Sequence, residues 1–371
     1  MQQFLFLLLF SSLIAIPQSF QNENAASAKI QIALLLDTSN SMDGLIDQAK
    51  SQLWKIVNDL AISTQNGQIP SIEISLYAYG NDDFNGKQGY VKQIEPLITD
   101  LDQVSDALFR LQTKGGSEYC GEVIYQSLQQ LPWSGNKNDF KLIVIAGNEP
   151  FTQGPTAPND AYNLACSKGI AVTTIFCGEW QEGINTGWKD APTCLESDYF
   201  NIDQDQAVAH IPTPYDEEIV ALNQSLNGTY LAYGIEGESR MELQSEQDKN
   251  ASVYGYANLR ERVSFKSKAQ YNNASWDLVD AYADDEAVIK DLEEDQLPEV
   301  LQGKTAEEKR TIISAKQKER AEIKEKIKTL ETKANQYIAA AKKDQADEMT
   351  LDAAIMKSIR AAAAKKGFSF K

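Results

Sequence analysis

A short polar stretch follows a run of apolar residues near the start of the chain. In "ALLLDTSNSMDG" the apolar run ends at Asp37, and Ser39 and Ser41 follow at alternate positions. One carboxylate and two hydroxyls at this spacing can converge on one point. Together with water they suit Mg²⁺, a hard octahedral cation that keeps part of its hydration shell. The alternative is that these side chains cap the backbone amides at the start of a helix.

The residues around this stretch predict the elements that position it. "KIQIALLLD" is continuously apolar, as in a strand buried on both faces of a parallel sheet. From Leu45 to Leu60, apolar residues recur at helical spacing. Further strands are predicted in "SIEISLYAYG", "FKLIVIAGNEP", "IAVTTIFCG" and "YFNID", with an edge strand in "KQGYVKQIE" and helices near 102–111, 121–131, 158–168 and 214–226. This alternation predicts a doubly wound, mostly parallel open α/β sheet over residues 29–235, with ligands at the carboxyl ends of its strands.

The composition changes after about residue 235, where strand-like runs end. Residues 236–303 predict several short helices, with "SWDLVDAY" as the most apolar stretch. Residues 304–371 predict a long charged helix and a tail, and Thr305 and Glu308 form a capping box at its start. Its narrow apolar stripe indicates packing within the chain, with a self-associating coiled coil as the alternative. The C-terminal region is therefore predicted to be all-helical.

The first residues predict export. The apolar run from Phe4 to Ile16 is shorter than the ~20 residues of a membrane-spanning helix, and it suits the apolar core of a secretory signal. We therefore expect residues 1–28 to be a signal peptide, and the protein to be periplasmic or secreted. No later segment of the sequence is long and apolar enough to predict a membrane span.

Charge and cysteine content limit the partners and the chemistry. With 53 acidic and 35 basic residues the net charge is −18, which argues against nucleic acid and anionic membranes but is compatible with divalent cations or basic partners. The four cysteines are Cys120, Cys166, Cys177 and Cys194. In an exported protein they allow three complete pairings. A Cys177–Cys194 bridge closes the shortest loop, and free buried thiols are the alternative.

In this strand-to-helix context, "ALLLDTSNSMDGLIDQAK" resembles the D-x-S-x-S start of the metal-ion-dependent adhesion site of von Willebrand factor A domains. The resemblance covers residues 29–230 and is to exported bacterial-type members. It implies that the two serines contact a metal directly while Asp37 acts largely through water. It also implies a threonine from a later loop and an aspartate after the next central strand.

The later parts of this motif are incomplete in the sequence. In "TKGGSEYCGEVI", Ser117 lies closest to the threonine position, and Glu118 is beside it. In "AGNEP", Gly147 stands at the aspartate position, and Asn148 and Glu149 are the nearby substitutes. The resemblance therefore implies a degenerate site that binds Mg²⁺, or Mn²⁺ or Ca²⁺, weakly. Its candidate metal ligands are Asp37, Ser39, Ser41, Ser117, Glu118 and Asn148. The alternative is a domain that retains only half of a metal site.

The function implied by the resemblance is divalent-cation-assisted protein–protein binding or adhesion, without catalysis. An acidic residue of the protein ligand would complete the metal site. The alternative is a metal-free scaffold or assembly protein that acts through its helical C-terminal region. An enzyme would need a pair such as Cys120 and His210. The sequence contains no Gly-x-Ser-x-Gly, phosphate-binding loop or dinucleotide-binding glycine motif.

Overall fold

The computed structural model describes residues 28–191, 198–206, 210–341 and 350–370. Nearly all of the predicted signal peptide, residues 1–27, lies outside this part of the chain, as does Cys194. The strands are β1 (Lys29–Asp37), β2 (Ser63–Gln65), β3 (Ser71–Tyr79), β4 (Val91–Ile98), β5 (Phe140–Gly147), β6 (Ala171–Cys177), β7 (Tyr199–Ile202) and β8 (Phe368–Phe370). The helices are α1 (Asp43–Ala61), α2 (Leu101–Phe109), α3 (Cys120–Gln130), α4 (Pro158–Lys168), α5 (Trp180–Asn185), α6 (Asp216–Asn227), α7 (Gly237–Val253), α8 (Tyr256–Lys266), α9 (Leu278–Asp284), α10 (Val288–Asp291), α11 (Ala306–Ala341) and α12 (Leu351–Ala364). None of the helices in the described residues is long and apolar enough to cross a membrane.

Six strands form one mixed sheet in the order β4-β3-β1-β5-β6-β7. The strand β1 is central and parallel to β3 and β5, and only β4, at one edge, is antiparallel to its neighbour. The continuous apolar run of β1 is explained by its two buried faces. Leu34 and Leu36 pack in the same core as α1, whereas Ala33 and Leu35 pack in the core that holds α3 and α4. The predicted doubly wound, mostly parallel sheet is confirmed, including the edge strand.

The long helix α11 docks within the chain. Its buried apolar residues include Ile323, Ile327 and Leu330, which share a core with α1, α6 and α8. Ile313 packs instead against Leu278 and Val279 in a smaller cluster. The predicted apolar stripe is therefore used inside the molecule, and the coiled-coil alternative has no support from this packing.

Arg320 fixes the position of α11 through buried polar contacts. Its guanidinium donates to Asp277 at 2.5 Å, to Asp280 at 2.7 Å and to the Thr229 hydroxyl at 2.9 Å. It also lies 4.2 Å from the centre of the Tyr230 ring. These contacts join α11 to α9 and to the segment after α6.

The last described segment packs against the main sheet. The sequence did not predict this packing. Ile355 and Ile359 of α12 are buried in the core beneath β5 and β6, and the hydroxyls of Ser358 and Thr173 are hydrogen-bonded. The strand β8 then pairs with β2 in a separate antiparallel sheet. Residues beyond 350 thus cover part of the main sheet. The predicted domain boundary near residue 235 stays a prediction.

Two of the cysteines are free and buried, Cys120 and Cys177, and Cys166 is disulfide-bonded. The favoured Cys177–Cys194 bridge is therefore wrong. The physical reason is that Cys177 ends β6 with its side chain in the apolar core.

Candidate metal site

Asp37 is the last residue of β1 and is fully buried. The backbone N–H of Ser39 donates to Asp37 Oδ1 at 2.8 Å. The Thr38 hydroxyl donates to the carbonyl of Tyr79, at the end of β3, at 2.9 Å. These bonds hold the loop against the end of the neighbouring strand. The other carboxylate oxygen, Asp37 Oδ2, has no hydrogen-bond partner among the described residues.

The two serine hydroxyls are not used as helix caps. Ser39 precedes the 3-10 turn Asn40–Met42, and Met42 precedes α1, but neither residue makes a side-chain cap. Instead, Ser39 Oγ and Ser41 Oγ lie 3.2 Å apart. Asn148, in the loop after β5, donates its amide to Ser41 Oγ at 3.2 Å. The capping alternative therefore does not describe these hydroxyls, and the place of Asn148 as a metal ligand stays a prediction.

Glu118 reaches the same place from the loop before α3. It is only 3% exposed, and its Oε2 has no partner among the described residues. Both carboxylates lie against Gly80, which has a φ of +79°. A Cβ added there would be 2.7 Å from Asp37 Oδ1 and 2.8 Å from Glu118 Cγ. We call Asp37 and Glu118 the acidic pair.

Ser117 contributes to this site mainly through its backbone. It forms an isolated β-bridge with Gly80, which draws the loop before α3 toward the end of β3. Among the hydrogen bonds between described residues, none involves the Ser117 hydroxyl. Its place as a ligand stays a prediction.

The charges of the acidic pair oppose each other. Burial raises the pKa of Asp37 to about 6, against the hydrogen bonds that it accepts. Burial, and then the charge of Asp37, raises the pKa of Glu118 to about 9. Glu149, which follows β5, raises the pKa of both carboxyls further. Two ionised carboxylates are therefore unfavourable here unless a proton or a cation lies with them.

Tyr79 occupies the space beside Gly147. A Cβ at Gly147 would lie 2.4 Å from Tyr79 Oη and 3.0 Å from Asp37 Oδ2. The Tyr79 hydroxyl donates to the carbonyl of Ala146 at 3.0 Å. An aspartate at position 147 consequently does not fit without movement of Tyr79. Sequence reasoning missed Tyr79 and Gly80, and the signal was the "YAYG" that ends the neighbouring strand.

Cys120 and His210 do not form a catalytic pair. The Cys120 thiol is buried beside Tyr79 Oη at 3.8 Å, and burial raises its pKa well above the usual value. The groups whose charges act on His210 are Glu261, Arg260, Asp352 and Lys55, which belong to α1, α8 and α12. A buried thiol that resists ionisation is a poor nucleophile.

The acidic pair and the two serines fit a divalent cation. In the described part of the chain, no group of three or more His, Cys, Asp and Glu could hold a metal, so a cation at this place would also depend on hydroxyl donors. Ser39 and Ser41 supply them beside two buried carboxylate oxygens that have no partner among the described residues. Carboxylate, hydroxyl and water oxygens are the donors that Mg²⁺, Mn²⁺ and Ca²⁺ take.

Comparison with known proteins gives similarity in fold. No protein-family model and no curated protein matches the chain. Among solved structures it is similar to a von Willebrand factor type A protein from Catenulispora acidiphila, with 15% identity, 47% of this chain and 39% of that chain covered, and a TM-score of 0.35. It is also similar to proximal thread matrix protein 1 of the mussel byssus with a zinc-occupied MIDAS motif. The identity is 13%, the match covers 47% of this chain and 41% of that chain, and the TM-score is 0.34.

A third similar structure is the pilus adhesin SpaC from Lactobacillus rhamnosus GG, with 13% identity, 48% of this chain and 28% of that chain covered, and a TM-score of 0.35. The chain thus spans less than half the length of each of these proteins. The likeness to von Willebrand factor A structures concerns the fold, for which the strand order and flanking helices of this chain are the direct evidence.

Proposed function

We propose that this protein is an exported, von Willebrand factor A-like binding protein that engages another protein with the help of a divalent cation at the acidic pair. One observation carries the proposal. Asp37 and Glu118 are buried together, each with an oxygen that has no partner among the described residues, beside the hydroxyls of Ser39 and Ser41. They lie where β1 and β3 end, which is where open α/β sheets bind ligands.

Each residue has a part in this arrangement. Asp37 and Glu118 supply negative charge, and Ser39 and Ser41 supply neutral oxygens. Asn148 positions the Ser41 hydroxyl through its amide, and the Ser39 amide holds Asp37 in place. A bound cation would supply a positive centre to which an oxygen of the partner protein could bind. The resemblance implies that this oxygen comes from an acidic residue.

The second candidate is a metal-free scaffold that acts through its helices. The specific observation in its favour is the raised pKa of Glu118, about 9, because a proton can then replace a cation between the carboxyls at neutral pH. Gly147 also leaves the motif without its last acid. In this case the surface of α7 to α11 would carry the interaction.

Calorimetric titration of the full chain with Mg²⁺ or Mn²⁺ distinguishes the two candidates. We expect binding of one cation per chain, and a gain of about 2.7 kcal/mol in the free energy of unfolding when the cation is at 100 times its dissociation constant. Asp37→Asn should remove both effects, because it deletes the charge at the centre of the site. Glu179→Gln, at an exposed residue just after β6, is the matched control. Equal heats for the wild type and Asp37→Asn would contradict the proposal and favour the scaffold.

A further inference from the structure

Gly147, the last residue of β5, has no carboxyl group, but the loop before α3 supplies one in Glu118. The space next to Gly147 is filled by Tyr79. Glu118 instead lies with Asp37 against Gly80, and it is buried with an oxygen that has no partner among the described residues. Since burying two ionised carboxylates together is costly, this placement requires either a proton or a cation between them.

The charge around the site exceeds that of one divalent cation. Asp37 and Glu118 together neutralise two positive charges. Glu149 directly follows Asn148, whose amide donates to Ser41 Oγ at 3.2 Å, and the charge of Glu149 raises the pKa of both carboxyls. Lys114, on the same loop as Glu118, is paired with Asp83 at 2.5 Å. A group arriving at the site therefore meets a centre whose net charge is about zero or negative.

We propose that Glu118 is the second carboxylate donor of the cation site, and that the partner group completing the site is a neutral amide oxygen instead of a carboxylate. The inference rests on the proposed cation site. An amide oxygen, from a backbone or from an Asn or Gln side chain, brings a strong dipole without a further negative charge. A carboxylate would be repelled by Glu118 and Glu149. The recognised surface is accordingly a protein loop that presents amide carbonyls.

The first part is tested by the affinity for Mn²⁺, measured by electron paramagnetic resonance on the full chain. Glu118→Gln, which keeps the size of the side chain, should weaken Mn²⁺ binding by about tenfold or more, because ligand charge sets the affinity of such sites. Glu118→Asp keeps the charge and should weaken it less. Glu179→Gln should change it little. Circular dichroism of each variant shows whether it is folded. Unchanged affinity in folded Glu118→Gln would overturn the role of Glu118.

The second part is tested with acetate and acetamide, which have nearly the same shape but differ in charge. Water-proton relaxation of the Mn²⁺-loaded protein reports displacement of water from the ion. Acetate, compared with the same concentration of sodium chloride, should displace more water in Glu118→Gln than in the wild type. Acetamide should show no such gain. Equal or stronger acetate binding by the wild type would overturn the preference for a neutral oxygen.

Failure of the inference differs from failure of the proposed function. If the wild type shows no saturable Mn²⁺ binding, or binds as Asp37→Asn does, the cation site itself is wrong. If Mn²⁺ binding depends on Asp37 but not on Glu118, only the inference is wrong.

Discussion

Of the regions of the molecule that bury carboxylates, two treat the charge differently. At the end of the sheet, the acidic pair has oxygens without a partner among the described residues. Between α2, α7 and α8 lies a second group, the buried ion cluster, formed by Asp102, Asp248, Arg262 and Lys266. Arg262 contacts Asp102 at 2.5 Å and Asp248 at 2.9 Å, and Lys266 contacts Asp248 at 2.9 Å. In the cluster, each carboxylate has a cation from the chain.

The pKa values follow this difference. Burial acts to raise the pKa of Asp248, but Lys266 and Arg262 lower it well below its usual range. Burial also raises the pKa of Asp37 and Glu118, and there the neighbouring carboxylate Glu149 adds to the rise. The comparison teaches that this chain compensates buried acids where they join helices. At the end of the sheet the compensation must come from outside, as a proton or a cation.

The largest expected effect comes from removing the shared cation of the buried ion cluster. Arg262→Met should lower the free energy of unfolding by about 3–5 kcal/mol, because Asp102 and Asp248 then lose a buried partner. The guanidinium also lies 4.3 Å from the centre of the Trp54 ring, and this contact would be lost as well. Urea denaturation measures the change.

The matched control for Arg262→Met is Arg110→Met. Arg110, which directly follows α2, forms an ion pair at 2.7 Å with Asp106, four residues earlier in the chain, and the Arg110 side chain is exposed. Exposed pairs of this kind contribute about 0.3–0.5 kcal/mol. A loss for Arg262→Met no larger than for this control would break the contrast between the two regions.

The second prediction compares the loss of one carboxylate charge in each region. Asp248→Asn should cost about 3 kcal/mol, because Lys266 and Arg262 remain buried with a weaker partner. In the presence of a chelator, Glu118→Gln should change the stability by less than about 1 kcal/mol in either direction, because no cationic side chain among the described residues pairs with it. Both are measured by urea denaturation at neutral pH. Similar losses for the two variants would show that Glu118 has an unrecognised partner.

The sheet could be predicted from the sequence because the pattern of apolar residues within each element reflects how that element is buried. The apolar run of β1 and the helical spacing after Leu45 both reflect burial, and the predicted helices of the first 230 residues appear with ends shifted by at most two residues. The role of α12 could not be predicted in this way. Its apolar residues show that it must be buried, but not that it covers β5 and β6 after a long detour of the chain.

The site was predictable in part for the same reason. Asp37, Ser39 and Ser41 are adjacent in sequence, and their spacing indicated convergence. Tyr79 and Gly80 enter the site only because β3 pairs in parallel with β1, so that Asp37 lies opposite Tyr79. Such a relation depends on the register of two strands that are distant in the chain. The identification of Asp37, Ser39, Ser41, Ser117, Glu118 and Asn148 as metal ligands stays a prediction.

The smallest expected effect concerns His210, a buried titratable group that belongs to neither region. Its Nε2 is buried without a hydrogen-bond partner in the described residues. It faces Lys55 of α1, Arg260 and Glu261 of α8, and Asp352 of α12. Burial lowers its pKa from the usual 6.5, and the opposing charges around it partly cancel. The folded protein therefore favours the neutral form of the His210 side chain.

The sign of the resulting pH dependence follows from proton binding. As the pH falls below 6.5, the unfolded chain takes up a proton at His210 before the folded protein does, so acid favours unfolding until the folded pKa is passed. The wild type should therefore lose more stability between pH 7 and pH 5 than His210→Gln, by at most about 1.4 kcal/mol for each unit of pKa shift. Urea denaturation of both proteins across this range, with chelator present, cancels the contributions of shared carboxylates. Parallel curves would contradict the lowered pKa, and a steeper loss in His210→Gln would show that the fold favours the charged form of His210. The seam between α1, α8 and α12 would then resemble the buried ion cluster in supplying its own countercharge.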